Sequence, residues 1–289
     1  MSKSQLSLSI EKQEITLVHL TQEDSGQYIV QDCHEMHFGF DIYEDVFEHG
    51  HSKAMLAVMH ELIPALEKYI PQKLSVCVNM DKIKCVRTFF DRDLSETEFA
   101  DECEDEAEKF LCNPEAYTLQ AVRLWEQSDM PYERYLLVFM PKQVLNRLQM
   151  LIAPARKNIN LIDGSHMSLQ NLYRDSQEAM LLIEIESRYF ALSLMNKFRI
   201  EEFSYWNLAS ETDAAYFALT EMQKLEIPSK IYAIGSGASP DAMAFLSGVI
   251  GVRVMPLTMP AQMTFNCEKK DATKYLKALG CAIKAVNEF

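Results

Sequence analysis

The sequence is short of positive charge. It has 28 Lys and Arg against 42 Asp and Glu, a formal net charge of −14 at pH 7, and no cluster of basic residues. Such a surface repels phosphate groups, so we expect neither nucleic acid nor an anionic membrane surface to be a direct partner. Long apolar runs are missing too, and no stretch approaches the ~20 apolar residues of a membrane span. The opening residues MSKSQLSLSIEK lack the basic and apolar regions of a secretion signal, so the expected location is the cytoplasm.

Motifs that carry reaction chemistry are also absent. The sequence has no G-x-S-x-G, no Walker A motif and no H-E-x-x-H, so no catalytic residue is predicted. His34 and His37 point to opposite faces of a strand, and with His49 and His51 they match no zinc pattern, so no metal site is predicted. An odd number of cysteines without C-x-x-C predicts reduced core thiols, not a disulfide framework. They are Cys33, Cys77, Cys85, Cys103, Cys112, Cys267 and Cys281.

The first half contains strands, a helix and a compact mixed block. The first 40 residues are rich in Leu, Ile, Val and Thr and are predicted to form strands, and residues 52–69 carry a helical apolar stripe interrupted by Pro64. Residues 73–80 and 83–90 are predicted to be a strand pair. Helices are predicted over 95–111 and 141–152, with two further strands between them. The Ser95-x-x-Glu98 capping box marks the start of the acidic helix.

The second half repeats this alternation and has clear helix boundaries. Strands are predicted within residues 179–206, at 230–234 and at 252–257, and helices at 211–225, 240–250 and 271–286. Ser239 and Pro240 are typical of a helix start, and Gly251 of a helix end. Between strand 230–234 and this helix lies Gly235-Ser236-Gly237, which alone resembles a loop that cradles a nucleotide.

A short internal repeat opens the two halves. The segment LSIEKQEITL (8–17) aligns with LIEIESRYFAL (182–192), so that Ile10-Glu11 matches Ile185-Glu186. Each copy begins a strand-rich region that is followed by a helix. The repeat therefore indicates a duplicated architecture.

The order of these segments resembles the actin-like ATPase superfamily, in the branch of FtsA and the pilus assembly protein PilM. The resemblance covers most of the chain: the opening hairpin, KLSVCVNMDKIKCVRTFF with its acidic helix, YLLVFMPKQVLNRLQMLI, INLIDGSHMSLQNLYR, LLIEIES and IYAIGSGASPDAMAFLSGVIGVRVMPL. The cytoplasmic region of the secretion protein GspL is similar. The implied fold is α/β, an actin-like (ribonuclease H-like) two-lobe duplication with a small α+β subdomain inserted in the first half. The implied segments are 1–72 and 157–178 (first lobe), 73–156 (insertion) and 179–289 (second lobe, upper subdomain lost).

The sequence departs from this superfamily at both phosphate-binding hairpins. Asp-x-Gly is replaced by Ser9-Ile10-Glu11 in the first half and by Glu184-Ile185-Glu186 in the second. Glycine lets backbone N–H groups approach phosphate, whereas a glutamate fills the space and repels the anion. Only residues 207–229 remain where a further subdomain would cover the adenine. We therefore predict no cofactor and a non-catalytic protein. Gly235, Ser236, Gly237 and Ser239 are predicted to be a vestigial adenosine loop.

The resemblance implies a protein partner. In PilM-like proteins the partner is a short cytoplasmic tail of an inner-membrane assembly protein, held by the inserted subdomain. Two alternatives stay open: an ATPase or kinase that binds ATP and Mg²⁺, and a self-assembling filament or ring. A metal-only role for Glu11, Glu184 and Glu186 is a further alternative, less favoured than solvated strand-end glutamates.

Overall fold

In a computed structural model of the chain, residues 3–125, 130–174, 176–210, 213–260, 263–267 and 272–289 are described. The strands are β1 (Lys3–Ile10), β2 (Glu14–Gln22), β3 (Tyr28–His37), β4 (Lys73–Val78), β5 (Lys84–Asp91), β6 (Tyr117–Arg123), β7 (Tyr132–Pro141), β8 (Asn158–Gly164), β9 (Met180–Ile185), β10 (Tyr189–Asn196), β11 (Arg199–Asn207), β12 (Lys230–Ile234), β13 (Val254–Pro256) and β14 (Met263–Phe265). The α-helices are α1 (Ser52–Glu67), α2 (Glu96–Phe110), α3 (Lys142–Ile152), α4 (Ser165–Gln170), α5 (Asp213–Met222), α6 (Pro240–Ile250) and α7 (Leu276–Glu288), and a π-helix spans Tyr43–Glu48.

The chain divides into two compact units. The first comprises residues 1–80, 142–173 and 258–289, and the second comprises residues 81–141 and 174–257. This division follows the compactness of each unit and does not test the four segments that the resemblance implies. Those segments stay a prediction.

The first unit contains a six-stranded sheet in the order β14-β3-β2-β1-β4-β8. The neighbours β1, β2 and β3 are antiparallel, and β4 and β8 run parallel to β1. Helix α7 packs on β1, β2 and β4 and also contacts α4. Alternate residues of β1 point to opposite faces. Leu6, Leu8 and Ile10 are fully buried on one face and Ser7 and Ser9 are buried on the other, as expected for a central strand with both faces covered.

The second unit repeats that strand order. Its five-stranded sheet runs β11-β10-β9-β12-β13, with β9, β10 and β11 antiparallel and β12 and β13 parallel to β9. Helices α5 and α6 cover it through a core that includes Ile183, Phe190, Ala218 and Leu246. The two sheets thus share one topology. With β14 set aside and the strands of each sheet numbered in chain order, both sheets have the order third, second, first, fourth, fifth. This topology confirms the duplication that the short repeat indicates.

A three-stranded sheet, β5-β7-β6, carries α2 on one face. The predicted pairing of 73–80 with 83–90 is wrong, because β4 lies between β1 and β8 while β5 pairs with β7. Both segments are genuine strands, but their apolar patterns do not specify a partner.

The predicted capping box at the start of α2 is confirmed: the Glu98 N–H donates to Ser95 Oγ (3.3 Å), and the Ser95 N–H donates to Glu98 Oε2 (2.9 Å).

The other predicted boundaries agree with the structure in most cases. Strand β12 and helix α6 have the predicted limits, while α5 begins at Asp213 and the predicted residues 211–212 lie outside the described part. A 3₁₀ turn over Ala272–Tyr275 precedes α7, and residue 271 of the predicted helix also lies outside the described part. Pro64 lies inside α1, which continues to Glu67.

Candidate functional site

The two hairpin turns that begin the two halves are built alike. In the first, the Glu11 N–H donates to the Glu14 carbonyl oxygen at 2.8 Å, and in the second the Glu186 N–H donates to the Tyr189 carbonyl oxygen at 2.9 Å. Each glutamate directly follows the last residue of its strand, Ile10 in β1 and Ile185 in β9. The aligned Ile-Glu pairs of the sequence repeat therefore occupy equivalent positions in the structure.

In the second unit, the Glu186 carboxylate occupies donors of the glycine loop. The backbone N–H of Ser236 donates to Glu186 Oε2 at 3.2 Å, and the Ser236 hydroxyl donates to the same oxygen at 2.7 Å. A loop that could offer these two donors to a phosphate instead presents them to a carboxylate of the neighbouring hairpin.

The two glycines of this loop are required by its close approach to the hairpin. Gly235 has φ +107°, and a Cβ atom there would lie 2.1 Å from the carbonyl oxygen of Ile185. A Cβ atom on Gly237 would lie 2.6 Å from Ile185 Cγ2, and the Gly237 N–H donates to the Ile185 carbonyl oxygen at 3.0 Å. Both glycines therefore have a packing role that needs no bound ligand.

The loop then leads directly into α6. Ser239 Oγ accepts a hydrogen bond from the Ala242 N–H at 3.2 Å, Pro240 is the first residue of the helix, and Gly251 ends it at φ +76°. These contacts confirm the expected strand-to-helix turn. The assignment of Gly235, Ser236, Gly237 and Ser239 as a vestigial adenosine loop stays a prediction.

In the first unit, Glu11 is held by a corresponding set of donors. Asn79 follows β4, the parallel neighbour of β1, and its Nδ2 donates to Glu11 Oε2 at 3.0 Å. Lys277 of α7 pairs with Glu11 Oε1 at 3.1 Å, and its side chain is only 9% exposed. The Ser9 hydroxyl also donates to Oε1, at 3.0 Å. A buried ammonium group therefore pairs with this glutamate, so Glu11 is not the solvated strand-end residue that was expected.

Glu184 lies inside the second sheet and is fully buried. It accepts a hydrogen bond of 2.6 Å from the hydroxyl of Tyr189, which is also fully buried. The expectation of a solvated side chain therefore does not hold for Glu184, because its position in β9 faces the packed interior.

Sequence reasoning identifies the hairpin glutamates and the glycine loop but misses the side chains that hold the glutamates. Asn79 and Lys277 lie 68 and 266 residues from Glu11, which is why no local pattern reports them. The sequence identifies Ser236 as a residue of the glycine loop but does not predict its hydrogen bonds to Glu186.

Two clusters of possible metal ligands occur in the first unit, among the described residues. One comprises Asp45, His49 and His51, and the other comprises Glu14, Glu35 and His37, in each case with ligand atoms within 4.8 Å of one another. In the first, His51 Nδ1 and Asp45 Oδ1 are 2.9 Å apart, and the same two residues line a pocket of about 690 Å³. His34 belongs to neither cluster.

No protein-family model matches the chain, and no curated protein matches it. Solved structures do match it over nearly its full length. A PilM–PilN type IV pilus biogenesis complex matches with a TM-score of 0.76 at 13% identity, covering 97% of this chain and 98% of that one. The cytoplasmic domain of EpsL, an inner-membrane component of the type II secretion system of Vibrio cholerae, matches with a TM-score of 0.56 at 7% identity, covering 96% and 94%.

A third match is a Bacteroides thetaiotaomicron protein with an actin-like ATPase fold and unknown function. It has a TM-score of 0.54 at 10% identity and covers 88% of this chain and 90% of that one. Together with the repeated strand order of the two sheets, these matches establish that the chain has the actin-like ATPase fold, as the resemblance implied. At these identities they establish the fold and no activity. No helix in the described part of the chain is long and apolar enough to cross a membrane.

Proposed function

We propose that the protein is a non-catalytic actin-fold adaptor that binds another protein. The observation that carries the proposal is the occupation of the glycine loop by Glu186, whose carboxylate accepts from both the Ser236 N–H and the Ser236 hydroxyl. A polyphosphate at the Glu186 hairpin, where the superfamily holds phosphate, would have to displace a like charge. Two unit charges ~4 Å apart repel by ~4 kcal/mol at an effective dielectric constant of 20, which weakens binding by about 10³-fold.

The kind of partner is proposed from two structural neighbours. One is a complex of PilM with PilN, and the other is the cytoplasmic domain of an inner-membrane secretion component. By analogy, this chain binds the cytoplasmic tail of a membrane assembly protein and stays in the cytoplasm near the inner membrane through that partner. The surface in question is proposed to include the three-stranded sheet, where Phe89 is 60% exposed and contacts Tyr132 edge-on with ring centroids 5.3 Å apart.

Partner capture tests this proposal. The full-length tagged chain is crosslinked in its native cells, captured partners are identified by mass spectrometry, and the cytoplasmic tail of each is tested as a purified peptide. We expect one membrane-protein tail to bind the purified chain and to bind Phe89→Ser more weakly. Ile70→Ser is the matched control, because Ile70 is 90% exposed but belongs to the other compact unit. Failure of every captured tail to bind would overturn the adaptor proposal.

A nucleotide-dependent function is the second candidate. It is favoured by the retained Gly235-Ser236-Gly237 loop and by the Ser239-capped start of α6. Calorimetric titration with Mg-ATP separates the two candidates. We expect no heat of binding up to millimolar nucleotide, whereas a micromolar dissociation constant would overturn the non-catalytic assignment and support an ATPase or kinase.

A further inference from the structure

Two cysteines from distant parts of the chain lie next to each other at the edge of the first sheet. Cys33 belongs to β3 and Cys267 follows β14, and their Sγ atoms are 3.2 Å apart although 234 positions separate them in sequence. Both side chains are partly buried, so they are held in place yet accessible to a small molecule. Of the remaining cysteines, Cys112 is exposed and Cys85 is partly buried, and both lie in the second unit.

Backbone pairing brings the two thiols together. Strand β14 runs parallel to β3, with Met263 opposite Tyr28 and Phe265 opposite Val30. The pairing continues at Asn266, whose N–H donates to the Val30 carbonyl oxygen at 2.9 Å and whose Nδ2 donates to Gln31 Oε1 at 3.0 Å. Cys267 is the next residue, so the approach of the sulfur atoms follows from the register of the sheet.

We propose that Cys33 and Cys267 are a site of reversible oxidation, at which a small-molecule disulfide converts the two thiols into an intramolecular disulfide. One thiolate attacks the oxidant R–S–S–R and releases one R–SH, and the second thiolate then attacks the resulting mixed disulfide and releases the other R–SH. The protein loses two protons and two electrons, and the oxidant takes them up to become two thiols. An S–S bond is ~2.05 Å long, so the sulfur atoms must close by about 1 Å, which side-chain rotation can supply.

The surroundings predict slow oxidation. Burial and the hydrogen bond to Cys267, together with the carboxylates of Asp32 and Glu35, raise the pKa of the Cys33 thiol. The same carboxylates accept hydrogen bonds from Tyr69 and Tyr275, both at 2.7 Å, and Lys274 donates to Glu35 at 3.0 Å. Because the thiolate is the reactive form, we expect oxidation of this pair to be slower than that of an exposed thiol such as Cys112.

The test treats the purified full-length protein with glutathione disulfide at pH 8 under native conditions. The remaining thiols are counted after denaturation, and a non-reduced tryptic digest is examined by mass spectrometry. We expect the Cys33–Cys267 disulfide to remove two of the seven thiols, and a mixed disulfide of glutathione with the exposed Cys112 to remove one more. We also expect a linked pair of peptides covering residues 13–53 and 254–269, each of which contains a single cysteine.

Variants and a denatured sample decide the interpretation. Cys112→Ser should still lose two thiols and give the linked peptides, whereas Cys33→Ser should give no intramolecular link. The linked peptides should be scarce when oxidation is carried out in 8 M urea, where the sheet no longer holds the two cysteines together. Absence of the 13–53/254–269 link in the native protein, or equal yield in urea, would overturn the proposal.

Discussion

At the scale of single residues, the glycine loop is explained by what it touches. Gly235 combines φ +107° with a site where a Cβ atom would lie 2.1 Å from a backbone oxygen. Gly248, inside α6, has an ordinary helical position, where an added Cβ atom would meet nothing within 4 Å. We therefore expect substitution by alanine to change the free energy of unfolding in opposite directions at the two positions.

Gly235→Ala should lower the free energy of unfolding by about 2–4 kcal/mol, because both the backbone strain and the overlap with the Ile185 carbonyl must be relieved. Gly248→Ala should raise it by about 0.5–1 kcal/mol, since alanine is the better helix former. Urea denaturation of both variants measures the difference. If Gly235→Ala were as stable as the wild type, the loop would not pack against the hairpin as described.

The buried ion pair between Asp163 and Lys284 is expected to make the stability of the protein depend on pH. The two side chains are 2.9 Å apart and almost fully buried, 7% and 19% exposed. Burial raises the pKa of the Asp163 carboxyl. Burial opposes the charge of Lys284, but the neighbouring carboxylate outweighs it and raises the pKa of that amine. The two shifts have opposite consequences for stability. The raised pKa of Lys284 stabilises the folded protein, and this contribution is lost as the pH rises through that pKa, whereas the raised pKa of Asp163 means that ionising this buried carboxyl costs stability once the pH exceeds its unfolded-state pKa.

Lys284→Met leaves the buried carboxylate without its partner, so we expect a loss of about 3–5 kcal/mol at pH 7. The loss should shrink as the pH falls, because protonation of Asp163 removes the uncompensated charge. The double variant Asp163→Asn/Lys284→Met should recover most of the stability. Lys230, exposed and paired with Glu178, is the control, and Lys230→Met should leave the stability nearly unchanged. A Lys284→Met loss independent of pH would contradict this account.

At the scale of elements, α6 is an apolar helix of which little is buried. Leu246 is 1% exposed, while Phe245 is 51% and Val249 is 53% exposed. Leu246 belongs to the core cluster of the second sheet, together with Ile231 and Ala218. The number of apolar residues in α6 therefore overstates how much apolar surface the helix buries in the core.

Leu246→Ala should cost about 2–5 kcal/mol because it leaves a cavity in a packed core. Phe245→Gln on the same helix should cost less than about 1 kcal/mol, because it changes a side chain that is half exposed. Thermal or urea unfolding of the two variants checks the contrast. Similar losses would mean that Phe245 is covered by other parts of the protein.

The sequence predicts elements better than it predicts their partners. Helix α6 has the predicted limits because Ser239, Pro240 and Gly251 act locally on the backbone. Strand β4 is predicted correctly as a strand but with the wrong neighbour, since β1 and β8, which flank it, come from distant parts of the chain. Strand β14 is not predicted at all, because three residues carry no periodicity. Distance along the chain also explains why the sequence singles out Glu11 and not its partner Lys277.

At the scale of the whole molecule, charge and exposed apolar surface make opposite contributions to self-association. The net charge of −14 opposes the approach of identical copies. In the second unit, Trp206, Tyr216, Phe245 and Val249 are 40–67% exposed and could favour it. A stable interface requires about 800 Å² from each partner, which is more than these four half-exposed side chains can bury.

We therefore expect a monomer in sedimentation velocity at micromolar concentration and 0.15 M salt, with the same result in Mg-ATP. At this ionic strength the Debye length is ~8 Å, so close charges still repel. The variant Phe245→Gln/Val249→Gln is the matched control and should sediment like the wild type. Faster species that grow with concentration would support the filament or ring alternative, and their loss in the double variant would identify the α6 surface as the interface between copies.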